Sequence, residues 1–356
     1  MNKAILTADD IKYQQTGTYH VGTRLLSVTD HSRKEQLGPA TGNRKISVRI
    51  YYPANPSSNP PVNLGKKVGG VMYDNATPIH DQSFPLIVYS HGYGAFMESN
   101  NLLCCELASH GYFVAAIGHT YEASEVSFED GTKIKSDKTI KRKMIQPKYK
   151  GYKAAMKLKK MDATPNLAYP KLLDFQETYC TFMVNRLSEW AKDAITVVEF
   201  LKASYADSID FSVGIGATGH SFGGNLAYYL CQFYDEFRCC INIDGSIFGR
   251  YKKMRMKSPF FQICSKVTLP MVSKVFLDTD APVYLAVFDK MQHIGYTDMK
   301  FYFKPKFMLG TMPAKDMSDA LLKCHRDFFN HYLKGLDHPI DTTNTKYITY
   351  TTYNKE

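Results

Sequence analysis

The chain has 356 residues, 44% of them hydrophobic and 22% charged, with a formal net charge of +10. That length supports a large core, and the composition excludes a fibre, a disordered polymer and a short disulfide scaffold. The charge is uneven: Lys133 to Lys160 holds twelve Lys or Arg against the single acid Asp137, which leaves the rest of the chain close to neutral.

The first residues, Met1 to Asp10, bring three adjacent apolar side chains and then two acids, too little for an export signal. No run approaches the roughly 18 apolar residues of a membrane span. The expectation is a soluble, non-exported, cytoplasmic protein. Eight cysteines stand at Cys104, Cys105, Cys180, Cys231, Cys239, Cys240, Cys264 and Cys324 without Cys-x-x-Cys spacing. Reduced, buried thiols are expected rather than a metal site or a disulfide framework.

Strand signals begin at Thr18 to Asp30 and Lys45 to Tyr52. In the second, Ile46, Val48, Ile50 and Tyr52 alternate with Lys45, Ser47, Arg49 and Tyr51, the two-residue period of a strand. Both are expected to pair antiparallel at one edge of a sheet. Pro53 to Gly70, rich in Pro, Asn, Ser and Gly, reads as a surface loop. A more apolar strand, Pro85 to Ser90, runs into His91-Gly92-Tyr93-Gly94. A helix follows from about Glu98 to His110, and Tyr112 to His119 is the next strand. Near-continuous apolar strands joined through a helix predict a buried parallel sheet with a right-handed crossover.

From Tyr121 to about Thr178 the pattern lapses. Phe128 to Thr132 suggests a small hairpin, lysines follow, and Pro147, Pro165 and Pro170 punctuate the stretch. It reads as a lid-like insertion after the fourth strand, over the C-terminal edge of the sheet. Tyr179 to Ser204 is a helix, because Leu187, Trp190, Ala191, Ala194, Val197, Val198 and Leu201 recur at three- and four-residue steps. Beyond Ser221, strands are expected at Cys239 to Asp244, Pro259 to Cys264 and Pro282 to Phe288, with a basic cluster at Arg250 to Lys257. An amphipathic helix at Pro313 to Lys334 and an edge strand or tail from Thr342 to Tyr353 end the chain. The whole reads as one α/β domain over residues 1–356, with the insertion at about 121–178.

The chemistry concentrates where an apolar run from Val213 ends at Gly219-His220-Ser221-Phe222-Gly223 and helix-forming residues follow, the strand, turn and helix of a nucleophile elbow. Side chains at 219 and 223 would collide across so sharp a turn. A serine hydroxyl is a weak nucleophile at neutral pH, so it needs a histidine to take its proton and a carboxylate to orient that histidine. In α/β-hydrolases these come in the order Ser, acid, His, each after a strand. Asp244 ends the strand after Ser221 and is favoured as the acid, with Asp278 and Asp280 as alternatives. His293 lies just beyond the last parallel strand and is the candidate base, whereas His325, His331 and His338 fall in or after the terminal helix. His91-Gly92 lets the backbone turn so that the Tyr93 N–H faces the site. With the Phe222 N–H it makes the expected oxyanion hole, and His91 itself reads as structural.

Pro85 to Phe96 with Leu107 to Ala116 resembles the platelet-activating-factor acetylhydrolase family of α/β-hydrolases, the plasma and intracellular type II enzymes and their bacterial relatives. Gly219-His220-Ser221-Phe222-Gly223-Gly224 and Ile243-Asp244 are similar to that family's elbow and acid, and the likeness reaches Tyr19 to Thr23 and Arg49 to Pro53. The resemblance implies Ser221, Asp244 and His293 as nucleophile, acid and base, and Tyr93 and Phe222 as oxyanion donors. It implies cleavage of short or oxidised sn-2 acyl groups of phospholipids without calcium. The lysine-rich insertion and the missing export signal depart from the plasma enzyme.

The expected activity is therefore that of a serine esterase needing no cofactor or metal. A phospholipid, a smaller carboxylester and a polyester all suit the chemistry. Lys133 to Lys160, interleaved with Met144, Ile145, Tyr149, Tyr152, Met156 and Leu158, would serve as a contact for anionic lipid or as a solvated lid face. Nucleic acid is not expected, because no base-reading motif accompanies the lysines. A non-catalytic lipid-binding protein on the same fold is the contrasting reading; oligomeric state is left open.

Overall fold

The computed structural model describes residues 15–353 except 40, 57–60, 63–70, 138, 144–147, 159, 162–164, 248, 250–254 and 273–278. Met1 to Asp10, Met144, Ile145, Asp278 and part of the Arg250 to Lys257 cluster thus lie outside the described residues.

Strands β1 (His20–Lys34) and β2 (Asn43–Ala54) pair antiparallel, with Val28 opposite Ile46. Two short strands, β3 (Pro61–Val62) and β4 (Met72–Asp74), extend this edge beyond β1. Next, β5 (Phe84–Ser90), helix α1 (Asn101–Ser109) and β6 (Phe113–Gly118) make the first parallel crossover. The insertion then opens with the antiparallel pair β7 (Glu125–Ser127) and β8 (Lys133–Lys135), which brackets the predicted hairpin turn. Helices α2 (Ile140–Lys143), α3 (Lys148–Leu158) and α4 (Pro165–Tyr179) complete it. Helix α5 (Thr181–Ser204) returns to β9 (Ile209–His220), followed by α6 (Phe222–Phe233), β10 (Phe237–Ile243), β11 (Phe260–Ser265) and β12 (Val283–Phe288). A C-terminal helix, Ala314–Tyr332, precedes β13 (Ile348–Tyr353), the edge strand, which pairs antiparallel with β12.

The order across the large sheet is β13-β12-β11-β10-β9-β5-β6-β2-β1-β4-β3, parallel from β12 to β6. The fold is thus α/β, with a mostly parallel central sheet. The insertion follows the sixth strand in chain order, not the fourth. Strands of two and three residues such as β3 and β4 are too short to leave a periodic trace. Part of the predicted Pro53 to Gly70 loop is strand: Pro53 and Ala54 complete β2, and Pro61 and Val62 form β3.

Both faces of the sheet are dry. Along β5, Leu86 and Val88 enter a core shared with α5 and α6, while Ile87 and Tyr89 enter a second core shared with α1 and the C-terminal helix. Burial on both sides is why these strands read as continuous apolar runs. On α5, all seven residues of the predicted apolar face are buried. Each large side chain so removed from water contributes roughly 1.5–3 kcal/mol, enough for packing to fix this helix whatever its intrinsic propensity. All eight cysteines are buried and free of disulfides. No helix among the described residues is long and apolar enough to cross a membrane.

Candidate active site

β9 ends at His220 and α6 begins at Phe222, so Ser221 alone makes the reversal between them. Its φ of 58° and ψ of −118° lie outside the regions open to L-residues, a strain on the order of 1–3 kcal/mol. Hydrogen bonds hold it there: the Ser221 N–H donates to the Ile243 carbonyl at 2.8 Å, and the Asn225 N–H donates to the Ser221 carbonyl at 3.1 Å. The flanking glycines are required by space. A Cβ at Gly219 would strike the Ser90 carbonyl and the Gly223 backbone, and one at Gly223 would strike the backbones of Ser90 and His91.

Parallel strands end together, which brings the loops after β9, β10 and β12 to one edge. There His293 Nε2 lies 2.8 Å from Ser221 Oγ, and His293 Nδ1 lies 2.7 Å from Asp244 Oδ2. The other Asp244 oxygen accepts the Ser265 N–H at 2.7 Å. Asp244 is fully buried, and the His293 side chain is half-exposed. With Nδ1–H donated to the carboxylate, Nε2 is left as an acceptor facing the serine hydroxyl. The loop carrying His293 is tied to the start of α1. Asn100 donates from Nδ2 to the Tyr296 carbonyl at 2.7 Å while accepting from the Tyr89 hydroxyl at 2.7 Å. Asp298 accepts the Leu102 N–H at 3.0 Å and donates its own N–H to Ser99 at 2.9 Å. Burial pushes the Asp298 carboxyl up to about 8, only partly opposed by the N–H groups of Leu102 and Asn101.

Tyr93 stands in the turn after β5, where the Gly94 N–H donates to the Glu122 carbonyl at 2.8 Å. Phe222 is the first residue of α6, and first-turn N–H groups have no carbonyl one turn back in their own helix. The two rings meet edge to face at 5.7 Å. His91 is fully buried. Its Nδ1–H donates to the Gly92 carbonyl at 2.7 Å, its Nε2 accepts the His119 N–H at 3.3 Å, and burial holds it neutral with a pKa of about 3.

The weaker candidates lie elsewhere. Asp280 pairs with Arg255 at 2.8 Å. His325 is a core residue between the Thr218 hydroxyl at 2.9 Å and the Leu321 carbonyl at 2.7 Å, and His338 faces Asp327 at 3.4 Å. One residue that the sequence reading passed over belongs to the cluster. His220 is buried, and its Nε2–H donates to the His293 carbonyl at 2.8 Å. Burial first, and the neighbouring His293 second, keep it neutral with a pKa of about 3. The available signal was its place inside the elbow, but a histidine there has no partner that spacing alone can identify. Among the described residues no group of His, Cys, Asp or Glu side chains is arranged to hold a metal ion.

A mainly apolar cavity of about 420 Å³ opens onto Ser221 and His293. The insertion supplies Tyr152 and Met156 from α3 and Leu172 and Phe175 from α4, and Met183 of α5 and Met271 add to the walls.

The solved ferulic acid esterase from Streptomyces cinnamoneus shares this fold, with a TM-score of 0.74 at 22% identity, covering 94% of this chain and 97% of that one. The architecture is that of an α/β-hydrolase. The platelet-activating factor acetylhydrolase of Cavia porcellus is 25% identical over 279 residues, which is 74% of this chain and 61% of that protein. That of Gallus gallus is 28% identical over 169 residues, 46% of this chain and 39% of that protein, so the chain matches less than two thirds of either relative's length. The family model for platelet-activating factor acetylhydrolase, isoform II, matches residues 64–274, more than half of the chain and the stretch that contains both the elbow and Asp244. The chain belongs to that family.

Proposed function

We infer that this protein hydrolyses carboxylic esters through Ser221. The observation that carries the reading is the unbroken hydrogen-bonded line from Ser221 Oγ through His293 to Asp244, at 2.8 and 2.7 Å. Ser221 Oγ attacks the acyl carbonyl carbon as its proton passes to His293 Nε2, and Asp244 stabilises the imidazolium that results. The tetrahedral oxyanion is held by the N–H groups of Tyr93 and Phe222. Collapse expels the alcohol, which takes the proton from His293. Water then repeats the sequence on the acyl-enzyme and releases the acid.

The substrate is an ester with a short, uncharged acyl group, because the cavity wall beside the serine is apolar and bounded by the insertion helices. The names of the family relatives speak of an acetyl group and platelet-activating factor; the sn-2 acyl group of a phospholipid fits this class, and simple carboxylesters and polyesters share the bond. Helix α3 exposes Tyr149 and Tyr152, 69% and 61% accessible, among Lys150, Lys153 and Lys157, so the same helix that walls the cavity offers a contact for anionic lipid. Eight thiols outside any disulfide suit a reducing cytoplasm.

The test is Ser221→Ala. It should abolish both turnover of p-nitrophenyl butyrate and labelling by a fluorophosphonate while the melting temperature holds; persistent labelling would refute the assignment. A ladder of p-nitrophenyl esters beside phospholipids bearing acetyl or long sn-2 chains then reads the acyl preference.

A further inference from the structure

Trp190, the only tryptophan in the chain, is fully buried in α5 and serves no step of the chemistry above. Four aromatic rings surround it. His119 is stacked on the indole with centroids 3.6 Å apart and planes 11° apart. Tyr93 lies parallel to it at 6.0 Å and 9°, Phe222 meets it edge-on at 4.7 Å and 89°, and His91 meets it at 5.1 Å. Two of those four rings belong to the residues whose backbone N–H groups are the proposed oxyanion donors, and a third belongs to the residue two positions before Tyr93.

The indole is itself held from behind. His119 donates Nδ1–H to Asp193 Oδ2 at 2.9 Å, and its Nε2 accepts the Ser90 hydroxyl at 3.3 Å at the end of β5. Asp193, one turn along α5 from Trp190, is gripped by Arg44 at 2.7 Å and by Arg33 at 2.7 Å. The carboxylate of Glu122, the residue whose carbonyl receives the Gly94 N–H, takes two hydrogen bonds from Arg186 of α5 at 2.9 and 2.7 Å. Helix α5 therefore fixes the turn after β5 through its side chains on two sides. Tyr93 has most to gain from this, since it sits in a turn, whereas Phe222 is also fixed by α6.

We propose that Trp190 is the positioning residue of the oxyanion hole, a rigid platform against which the Tyr93 and Phe222 side chains set the direction of their backbone N–H groups. Oxyanion stabilisation depends on donors already aimed where charge develops, so a platform that shifts one of them by a fraction of an ångström acts on the transition state and much less on substrate binding. The inference rests on the ester-hydrolase reading with Tyr93 and Phe222 as donors.

The experiment compares the full-length parent with Trp190→Leu and Trp190→Phe, counting competent sites by fluorophosphonate titration. Each is assayed with p-nitrophenyl butyrate and with a trifluoromethyl ketone inhibitor. In that adduct Ser221 Oγ bonds to the ketone carbon, the C=O pair becomes an oxyanion, and the hydroxyl proton passes to His293. Losing one donor outright lowers kcat by about 100- to 1,000-fold, so a misaimed donor in Trp190→Leu should lower kcat per titrated site by about 10- to 100-fold. KM should stay within about threefold, the inhibition constant of the ketone should rise in step with the fall in kcat, and Trp190→Phe should recover part of the loss and stay about three- to tenfold below the parent. A Trp190→Leu protein with a lowered melting temperature but kcat per site and ketone affinity at parent values overturns the proposal and leaves Trp190 as core packing. If Trp190→Leu does not fold, Trp190→Phe decides: a drop of about three- to tenfold per site with a matching loss of ketone affinity supports the platform, and parent values overturn it. Failure of the underlying reading would show instead in Ser221→Ala, as labelling that persists without the serine.

Discussion

His220 Nε2 lies 2.8 Å from the carbonyl oxygen of His293, a hydrogen bond across 73 positions of sequence. The residue just before Ser221 thereby holds the backbone of the residue hydrogen-bonded to Ser221, and the elbow and the histidine loop become one unit. His220→Ala should lower kcat on p-nitrophenyl butyrate by about 5- to 30-fold, through loss of a buried hydrogen bond worth about 1 kcal/mol and of the alignment it maintains. His220→Gln, which keeps a donor, should recover part of it. Parent activity in the alanine variant would remove His220 from the machinery.

Asp244→Asn should preserve the fold, because an amide oxygen can still accept the Ser265 N–H. It should nonetheless lower kcat by about 1,000- to 10,000-fold, since an amide cannot stabilise the imidazolium or enforce the Nδ1–H tautomer of His293. Turnover within tenfold of the parent in a folded protein would exclude Asp244 as the acid.

Asp298 connects pH to the stability of the histidine loop. Its carboxyl ionises near 8 in the folded protein against an ordinary value of 3.8, so between those values the folded state holds more protons than the unfolded one. Stability from this group is full below the ordinary value and is lost as pH rises through the folded one. The urea midpoint of the parent should therefore fall, relative to Asp298→Asn, as pH rises from about 5 to about 8. A difference between the two proteins that does not change with pH would disprove the linkage.

Helix α3 sets Lys153 Nζ 4.7 Å from the ring centre of Tyr149, with Lys150 and Lys157 also exposed. Changing Lys150, Lys153 and Lys157 to Gln should weaken sedimentation with vesicles containing anionic lipid by about 100-fold at low salt, at about 1 kcal/mol per lysine. Hydrolysis of a soluble ester should be unaffected. Binding that is indifferent to lipid charge and to salt would make these lysines a solvated face.

What the sequence determined by itself is whatever short-range pattern can carry. The apolar runs of β5, β6 and β9 to β12 announce strands dry on both faces, the three- and four-residue steps of α5 announce its buried stripe, and two glycines around Ser221 announce a turn that admits no side chain. The order Ser221, Asp244, His293 is legible because parallel strands bring successive loops to one edge. The strands β3 and β4 were not legible, because two or three residues carry no period. The tertiary structure alone decided the rest. It chose the alignment of the His293 loop through Asn100, Asp298 and His220, and it gathered Trp190, His119, Tyr93 and Phe222 into one cluster. Those relations join residues about 30 to 200 positions apart, where hydrogen-bond angle and ring contact follow from how packed layers meet and leave no trace in local spacing.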